Sequence, residues 1–116
     1  MNFENKRQLK RRKLRDEISV SIQRSGSLIS GVLLDMTSMG MLILANERLE
    51  AFVPIKISIE LPNPIQGQKL LLLEGVTKWS KSDSLSKGFM VGLELIVDNS
   101  KLSDQLHLFM ERYCEI

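Results

Sequence analysis

Alternation of apolar and polar residues is the feature that most limits the folds open to this chain. In Pro54–Leu61 every second residue is aliphatic, and in Glu17–Gln23 two isoleucines and a valine alternate with polar residues in the same way. A period of two residues places these side chains on one face of an extended strand. The sequence therefore predicts half-buried β-strands, rather than amphipathic helices, over most of its length.

Four further runs have the composition of strands, and turn residues separate them. The runs cover Leu28–Leu34, Met41–Ala45, approximately Lys69–Trp79, and Phe89–Leu95. Gly, Pro, Asn and Ser interrupt the chain between them, as these residues do at turns and loops. We interpret Trp79 as a core residue or a cap on the mouth of a barrel, and Gly88 and Gly92 as positions of a bulge or of close packing.

The last part of the chain changes to a helical period. Apolar residues recur there every three or four positions, and Asn99 or Ser100 is a suitable N-cap. This pattern predicts a helix over about residues 100–113. Six short strands followed by one helix predict a mostly β fold, a six-stranded antiparallel barrel with a C-terminal α-helix packed over it.

The N-terminal residues form a basic arm. They hold seven of the sixteen basic residues, although the formal net charge is only +2. These seven are Lys6, Arg7, Lys10, Arg11, Arg12, Lys13 and Arg15. Such an asymmetry predicts an anion-binding segment. We therefore divide the chain into a flexible basic arm, residues 1–15, and a barrel with its helix, residues 16–116.

Catalysis and metal binding find little support in the sequence. His107 is the only histidine and Cys114 the only cysteine, so no second base is available to activate a nucleophile. One cysteine also excludes an internal disulfide, and no residues cluster at metal-ligand spacing. We expect no enzymatic activity, no metal and no cofactor.

Targeting signals are also missing from the sequence. No apolar run approaches the roughly 18 residues that a membrane span needs. The polar, basic N-terminus does not have the apolar centre of a secretory signal. We expect a cytoplasmic protein in a reducing compartment.

Two polar motifs carry recognisable chemistry. Arg11 and Arg15 are four residues apart, which places both on one face of either a helix or an extended chain. Their planar guanidiniums suit a phosphate or the O6/N7 edge of guanine. Asp35, which interrupts an apolar passage, can accept the N1 and N2 hydrogens of guanine. Thr37 follows two residues later. Taken singly, the basic run is most often a solvated tail and the second motif most often a turn.

With these motifs the chain resembles a PilZ domain, the bacterial receptor module for cyclic di-GMP. The segment Arg11–Arg15 is similar to the family's R-x-x-x-R motif, and Asp35–Gly40 is similar to its [D/N]-x-S-x-x-G motif. Val76–Trp79 and Phe89–Leu95 resemble the later strands of the family. The resemblance covers most of the chain and implies the same barrel and C-terminal helix.

The resemblance implies that six residues bind cyclic di-GMP. Those on the arm would grip phosphates and guanine edges, and those on the barrel would form a wall around a guanine. The six are Arg11, Arg12, Arg15, Asp35, Thr37 and Gly40. Thr37 departs from the family's serine, since it adds a methyl group and a stiffer χ1.

The resemblance further implies a single-domain receptor or adaptor in second-messenger signalling, of the kind that regulates motility or biofilm formation. Its arm would order over the ligand and alter the surface shown to an unidentified protein partner, in trans. Two alternatives remain open. One is a degenerate PilZ domain that binds proteins without nucleotide. The other is a small basic barrel that binds nucleic acid, but stacking on bases needs exposed aromatic residues, and aromatics make up only 5% of this chain. We expect no DNA or RNA partner.

Overall fold

The computed structural model describes residues 12–115 as six strands and one helix. In chain order they are β1 (Arg12–Arg24), β2 (Ser27–Met36), β3 (Gly40–Ala45), β4 (Pro54–Ile65), β5 (Gln68–Ser82), β6 (Phe89–Ile96) and α1 (Ser100–Tyr113). All neighbouring strands are antiparallel, and the order β1-β2-β3-β6-β5-β4 closes on itself as a barrel. The predicted six-stranded antiparallel barrel with a C-terminal helix is confirmed.

Strand β1 extends further towards the N-terminus than its alternating pattern indicates. It begins at Arg12, so four residues that the sequence analysis assigned to the arm lie in a strand. Residues 1–11, the remainder of that arm, lie outside the described residues. The flexibility of the arm stays a prediction.

The interior of the barrel is filled by the alternating aliphatic residues. Ile55, Ile57 and Ile59 of β4 are buried, as are the alternating residues of β1, and the polar residues between them face outward. Burying one such side chain stabilises the fold by about 1.5–3 kcal/mol, which explains why the alternation fixes the inward face of each strand. No helix within residues 12–115 is long and apolar enough to cross a membrane.

Helix α1 packs its apolar stripe against the barrel. Asn99 is its N-cap, with the side-chain Oδ1 accepting the N–H of Leu102 at 2.8 Å. Leu106 and Phe109 are buried beneath the helix, whereas His107 is exposed and lies 3.2 Å from Glu111. The helix therefore acts as a lid on the core.

The end of α1 fills a gap between β1 and β4. These two strands pair only from Val20 to Gln23 on β1. Nearer the start of β1, the Tyr113 hydroxyl accepts the N–H of Asn63 at 2.9 Å and donates to its carbonyl oxygen at 3.1 Å. On the other side, the N–H of Glu115 donates to the carbonyl oxygen of Lys13 at 2.7 Å. The term seam is used below for this junction, which is formed by β1, β4 and the residues that follow α1.

The hydroxyl of Tyr113 is expected to stabilise the seam. The variant Tyr113→Phe keeps the ring against Phe109 but loses both hydrogen bonds to Asn63. Unfolding in urea should show a loss of about 1–2 kcal/mol. His107→Ala, on the exposed face of α1, is the matched control and should change the free energy of unfolding by less than about 0.5 kcal/mol. Equal stability of Tyr113→Phe and the unaltered protein would contradict this role.

Candidate ligand-binding site

The turn between β2 and β3 is held by the hydroxyl of Thr37. Its Oγ1 accepts the N–H of Met39 at 3.1 Å and that of Gly40 at 3.0 Å. The N–H of Thr37 also donates to the carbonyl oxygen of Gly40 at 2.9 Å. Thr37 therefore keeps the turn-forming role that a serine hydroxyl could play, and its single O–H hydrogen is left to donate elsewhere.

Gly40 sits where two backbones approach closely. It pairs with Glu94 on β6, and a Cβ at this position would lie 3.0 Å from the carbonyl oxygen of Leu93. The carbonyl oxygen of Met39 accepts the N–H of Leu95 at 2.7 Å, which ties the turn to the same strand. The structure thus gives the glycine a packing role, and its predicted contact with a ligand stays a prediction.

Asp35 lies one residue beyond a bulge in β2. Leu33 pairs with Ile43 and Asp35 pairs with Leu42, so Leu34 is an extra residue in β2. A bulge of this kind changes which side chains face outward. Asp35 is half-buried, and its partner across the sheet is Lys13 of β1. The nearness of Lys13 to Asp35 could not be predicted, because the pairing register of two strands is not visible in the sequence of either.

A larger irregularity in β1 lies next to the described arginines of the first motif. The pair Lys13 with Asp35 is followed by the pair Ile18 with Leu33, so β1 advances by five residues while β2 advances by two. Arg15 lies within this bulge and is exposed, whereas Arg12 precedes it and is half-buried. Arg11 lies outside the described residues.

The thiol of Cys114 lies within electrostatic range of these charges. The side chain is buried, and burial is the main reason that the pKa of its thiol rises from 9.0 to about 11. The positive charges of Arg12 and Arg15 lower this pKa in part, and the negative charge of Asp35 raises it. All three charged groups therefore lie near one sulfur atom, at the seam. The structure brings Arg12 and Arg15 to the side of the barrel that carries Asp35.

The residues after α1 form a wall of the site that sequence analysis missed. Cys114 forms an isolated bridge with Leu14, between the two arginines in sequence, and Glu115 bonds to Lys13. A lone cysteine at the end of a helix gives no signal of such a role. The residues after α1 come next to β1 because the barrel is closed, and local sequence patterns do not show this contact.

Trp79 lies on the outer wall of the barrel, so its interpretation as a core residue is wrong. Its side chain is 42% exposed, and its indole covers Gly92, where a Cβ would clash with the ring. The close packing predicted at Gly92 is therefore present. Within the described part of the chain, no group of three or more His, Cys, Asp or Glu side chains could hold a metal ion.

Comparison with known proteins identifies the fold. No family model and no curated protein sequence matches the chain. Among solved structures, the PilZ domain of YcgR from Escherichia coli, determined with c-di-GMP, matches with a TM-score of 0.66 and 12% identity. The match covers 91% of this chain and 92% of that one. The chain has the PilZ fold.

A second PilZ-fold match is the Bacillus subtilis inhibitor of motility MotI/DgrA, with a TM-score of 0.67 and 18% identity. The match covers 91% of this chain and 49% of the matched chain. This chain therefore spans about half of the length of that protein chain. Structural matches with identities this low establish the fold, but they do not establish the role of any individual residue. In this PilZ fold, the described residues of the first motif, from Arg12 on, begin β1, and this end of β1 pairs with the end of β2 at Asp35 and Met36.

We expect the turn to need the hydroxyl group of Thr37 but not its methyl group. Thr37→Val removes the acceptor for two N–H groups and should lower the free energy of unfolding by about 1–2 kcal/mol. Thr37→Ser keeps the acceptor and should lie within about 0.5 kcal/mol of the unaltered protein. Urea unfolding of the three proteins measures both differences. A valine variant as stable as the serine variant would show that the hydroxyl does not hold the turn.

Cys114 should make the folded state sensitive to alkaline pH. Between about pH 9 and pH 11 the unfolded thiol loses its proton while the folded thiol keeps it, so the unfolded state binds fewer protons. Stability should then fall as pH rises through this range and be fully present below pH 9. Urea unfolding at several pH values measures the slope. Cys114→Ala should show a shallower fall, and an equal slope in both proteins would contradict the burial of the thiol.

Proposed function

We propose that this chain is a bacterial receptor for cyclic di-GMP. The nucleotide binds where β1 begins and its neighbour β2 ends. The observation that carries the proposal is the pairing of β1 with β2 that sets Arg12 and Lys13 opposite Met36 and Asp35, with Arg15 in the bulge that follows, in a chain with the PilZ fold. Thr37 and Gly40 belong to the same site through the turn after Asp35. Arg11 is included on the basis of its motif.

The chemistry of these groups is complementary to a guanine nucleotide. A guanidinium donates a planar pair of hydrogens, which suits a phosphate or the O6 and N7 acceptors of guanine. A carboxylate only accepts, which suits the N1 and N2 hydrogens on the opposite edge of the base. Arginines on β1 and Asp35 on β2 offer both kinds of group from neighbouring strands. Neither lysine nor a neutral side chain would combine charge and planarity in this way.

Binding would change the surface of the protein as well as fill the site. Ordering the basic arm costs conformational entropy, and charge-assisted hydrogen bonds to two phosphates offset that cost. The bound phosphates would neutralise the arginines and bring the arm over the barrel. A protein partner would then meet a different shape and charge at this end of the molecule. We propose regulation of motility or biofilm formation as the process, which is an analogy with the B. subtilis inhibitor of motility.

One observation favours a second candidate, a PilZ domain that binds proteins without nucleotide. The hydroxyl of Thr37 already accepts two N–H groups of its own turn, and the turn is tied to β6 through Met39. The barrel side of the site is therefore complete as protein architecture without a ligand. Direct measurement of nucleotide binding separates the two candidates.

Calorimetric titration with cyclic di-GMP tests the proposal. The unaltered protein should bind with a saturable heat. Arg15→Ala and Asp35→Ala should each weaken binding roughly 10- to 150-fold, since each removes charge-assisted hydrogen bonds of about 1.5–3 kcal/mol. Lys87→Ala, an exposed cation in the β5–β6 loop, is the matched control and should bind as tightly as the unaltered protein.

Absence of heat with the intact, folded protein would overturn nucleotide binding and leave the protein-binding module. A nucleic-acid binder would behave in a third way. It would bind unrelated oligonucleotides with an affinity that falls steeply with salt concentration. In that case Asp35→Ala, which removes a negative charge, would leave binding unchanged or strengthen it.

A further inference from the structure

A cavity lies at the end of the barrel away from the candidate nucleotide site. Strand β1 begins at the nucleotide site with Arg12 and ends at this cavity with Arg24. Arg48, in the connection between β3 and β4, forms another part of the wall, and Ser80 of β5 a third. The cavity has a volume of about 540 Å³. It is therefore large enough to take several atoms of a partner side chain.

Two arginines line this cavity, and no counter-charge is bonded to their side chains. Within residues 12–115, the side chain of neither Arg24 nor Arg48 makes a hydrogen bond or an ion pair. Glu50 also lines the cavity, and no ion pair in this described range joins it to either arginine. Two positive charges and one negative charge leave the wall with a net charge of +1. Like charges that share one cavity repel each other, so an anion placed between them would be attracted by both.

A hydroxyl group and an apolar side chain also line the cavity. The hydroxyl oxygen of Ser80 accepts the N–H of Leu49 at 3.4 Å. Its own hydrogen, which makes no bond to another residue in the described part of the chain, can donate to a bound anion. Leu49 is buried and lies in the wall. The lining therefore combines cationic, donor and apolar groups.

An exposed aromatic residue, Phe52, directly follows Ala51 of the cavity wall, in a segment that the core holds in place. Phe52 is 73% exposed and has a φ of +62°, which is uncommon for a bulky side chain. Thr77, which is fully buried, holds the segment. Its hydroxyl donates to the carbonyl oxygen of Glu50 at 2.6 Å and accepts the N–H of Val53 at 2.9 Å, while its carbonyl oxygen accepts the N–H of Phe52 at 2.7 Å. The core thus fixes an exposed aromatic ring in a strained backbone conformation.

We propose that this end of the barrel docks an acidic segment of a partner protein. Carboxylates of the partner enter the cavity between Arg24 and Arg48, and an apolar side chain next to them packs on Phe52. Arginine binds carboxylates with paired hydrogen bonds, and rigid aromatic residues are frequent anchors of protein interfaces. Charge complementarity decides the occupant, because an apolar or basic segment would leave the two arginines unpaired. This docking surface is separate from the nucleotide site and does not depend on nucleotide binding.

The first test is a nuclear magnetic resonance titration in the absence of cyclic di-GMP. The probe is a peptide of alternating glutamate and leucine, and the matched control is its lysine–leucine counterpart. The glutamate peptide should shift the amide signals of Arg24, Arg48 and Phe52 saturably. Arg24→Ala and Arg48→Ala should each weaken its binding about tenfold, the loss expected for one charge-assisted bond. The lysine peptide should cause no such shifts.

Three outcomes of the titration would overturn the proposal. The first is no shift with the glutamate peptide, and the second is shifts confined to Arg12, Arg15 and their neighbours. The third is equal shifts with inorganic phosphate alone at the same concentration, which would assign the cavity to small anions. Because no nucleotide is present, each outcome is independent of the calorimetric result with cyclic di-GMP.

The second test separates a docking role of Phe52 from a structural one. Glycine adopts positive φ without strain, so Phe52→Gly should unfold at the same temperature as the unaltered protein or a higher one. It should nevertheless bind the glutamate peptide at least about fivefold more weakly, a loss typical of an interface anchor. Leu72→Ala, an exposed apolar residue on β5, is the matched control and should bind the peptide normally. Lower stability of Phe52→Gly with unchanged peptide affinity would overturn the docking role.

Discussion

The seam between β1 and β4 is the contact on which the candidate nucleotide site depends. The two strands pair directly over only four residues each, from Val20 to Gln23 and from Lys56 to Ile59. Beyond this stretch the end of α1 separates them and bonds to both. Tyr113 bonds to the backbone of β4, and Glu115 bonds to the backbone of β1. The strand that carries Arg12 and Arg15 is thus held between β2 and the chain end.

This arrangement places both ends of the described chain at one site. The arginines lie on the first strand, and the residues after the last helix form the wall behind them, with Cys114 buried between. Any change in the position of β1 on binding a ligand would act directly on the end of α1. The docking surface around Arg24 and Phe52 lies at the other end of β1. One strand therefore connects the proposed nucleotide site with the proposed partner site.

The architecture could be predicted from the sequence because its signals are local. Alternation in β4 and the helical period after Asn99 each depend on residues close together in the chain, and both agree with the structure. The details of the site depend on register, which local patterns do not encode. The register that sets Lys13 opposite Asp35 joins residues distant in the chain and includes bulges in both β1 and β2. Alternation also could not show that Trp79 covers Gly92 on the outer wall, since a half-buried strand has two faces.

Amide hydrogen exchange at the seam tests the central claim most directly. If the end of the chain holds β1 beside Asp35, the N–H of Glu115, bonded to Lys13, should exchange far more slowly than an exposed amide. The N–H of Asn63, bonded to Tyr113, should be protected in the same protein and should lose protection in Tyr113→Phe. Exchange of the Glu115 amide at the rate of an unstructured chain would contradict the account, because the residues after α1 would then not hold the arginine strand on its β4 side.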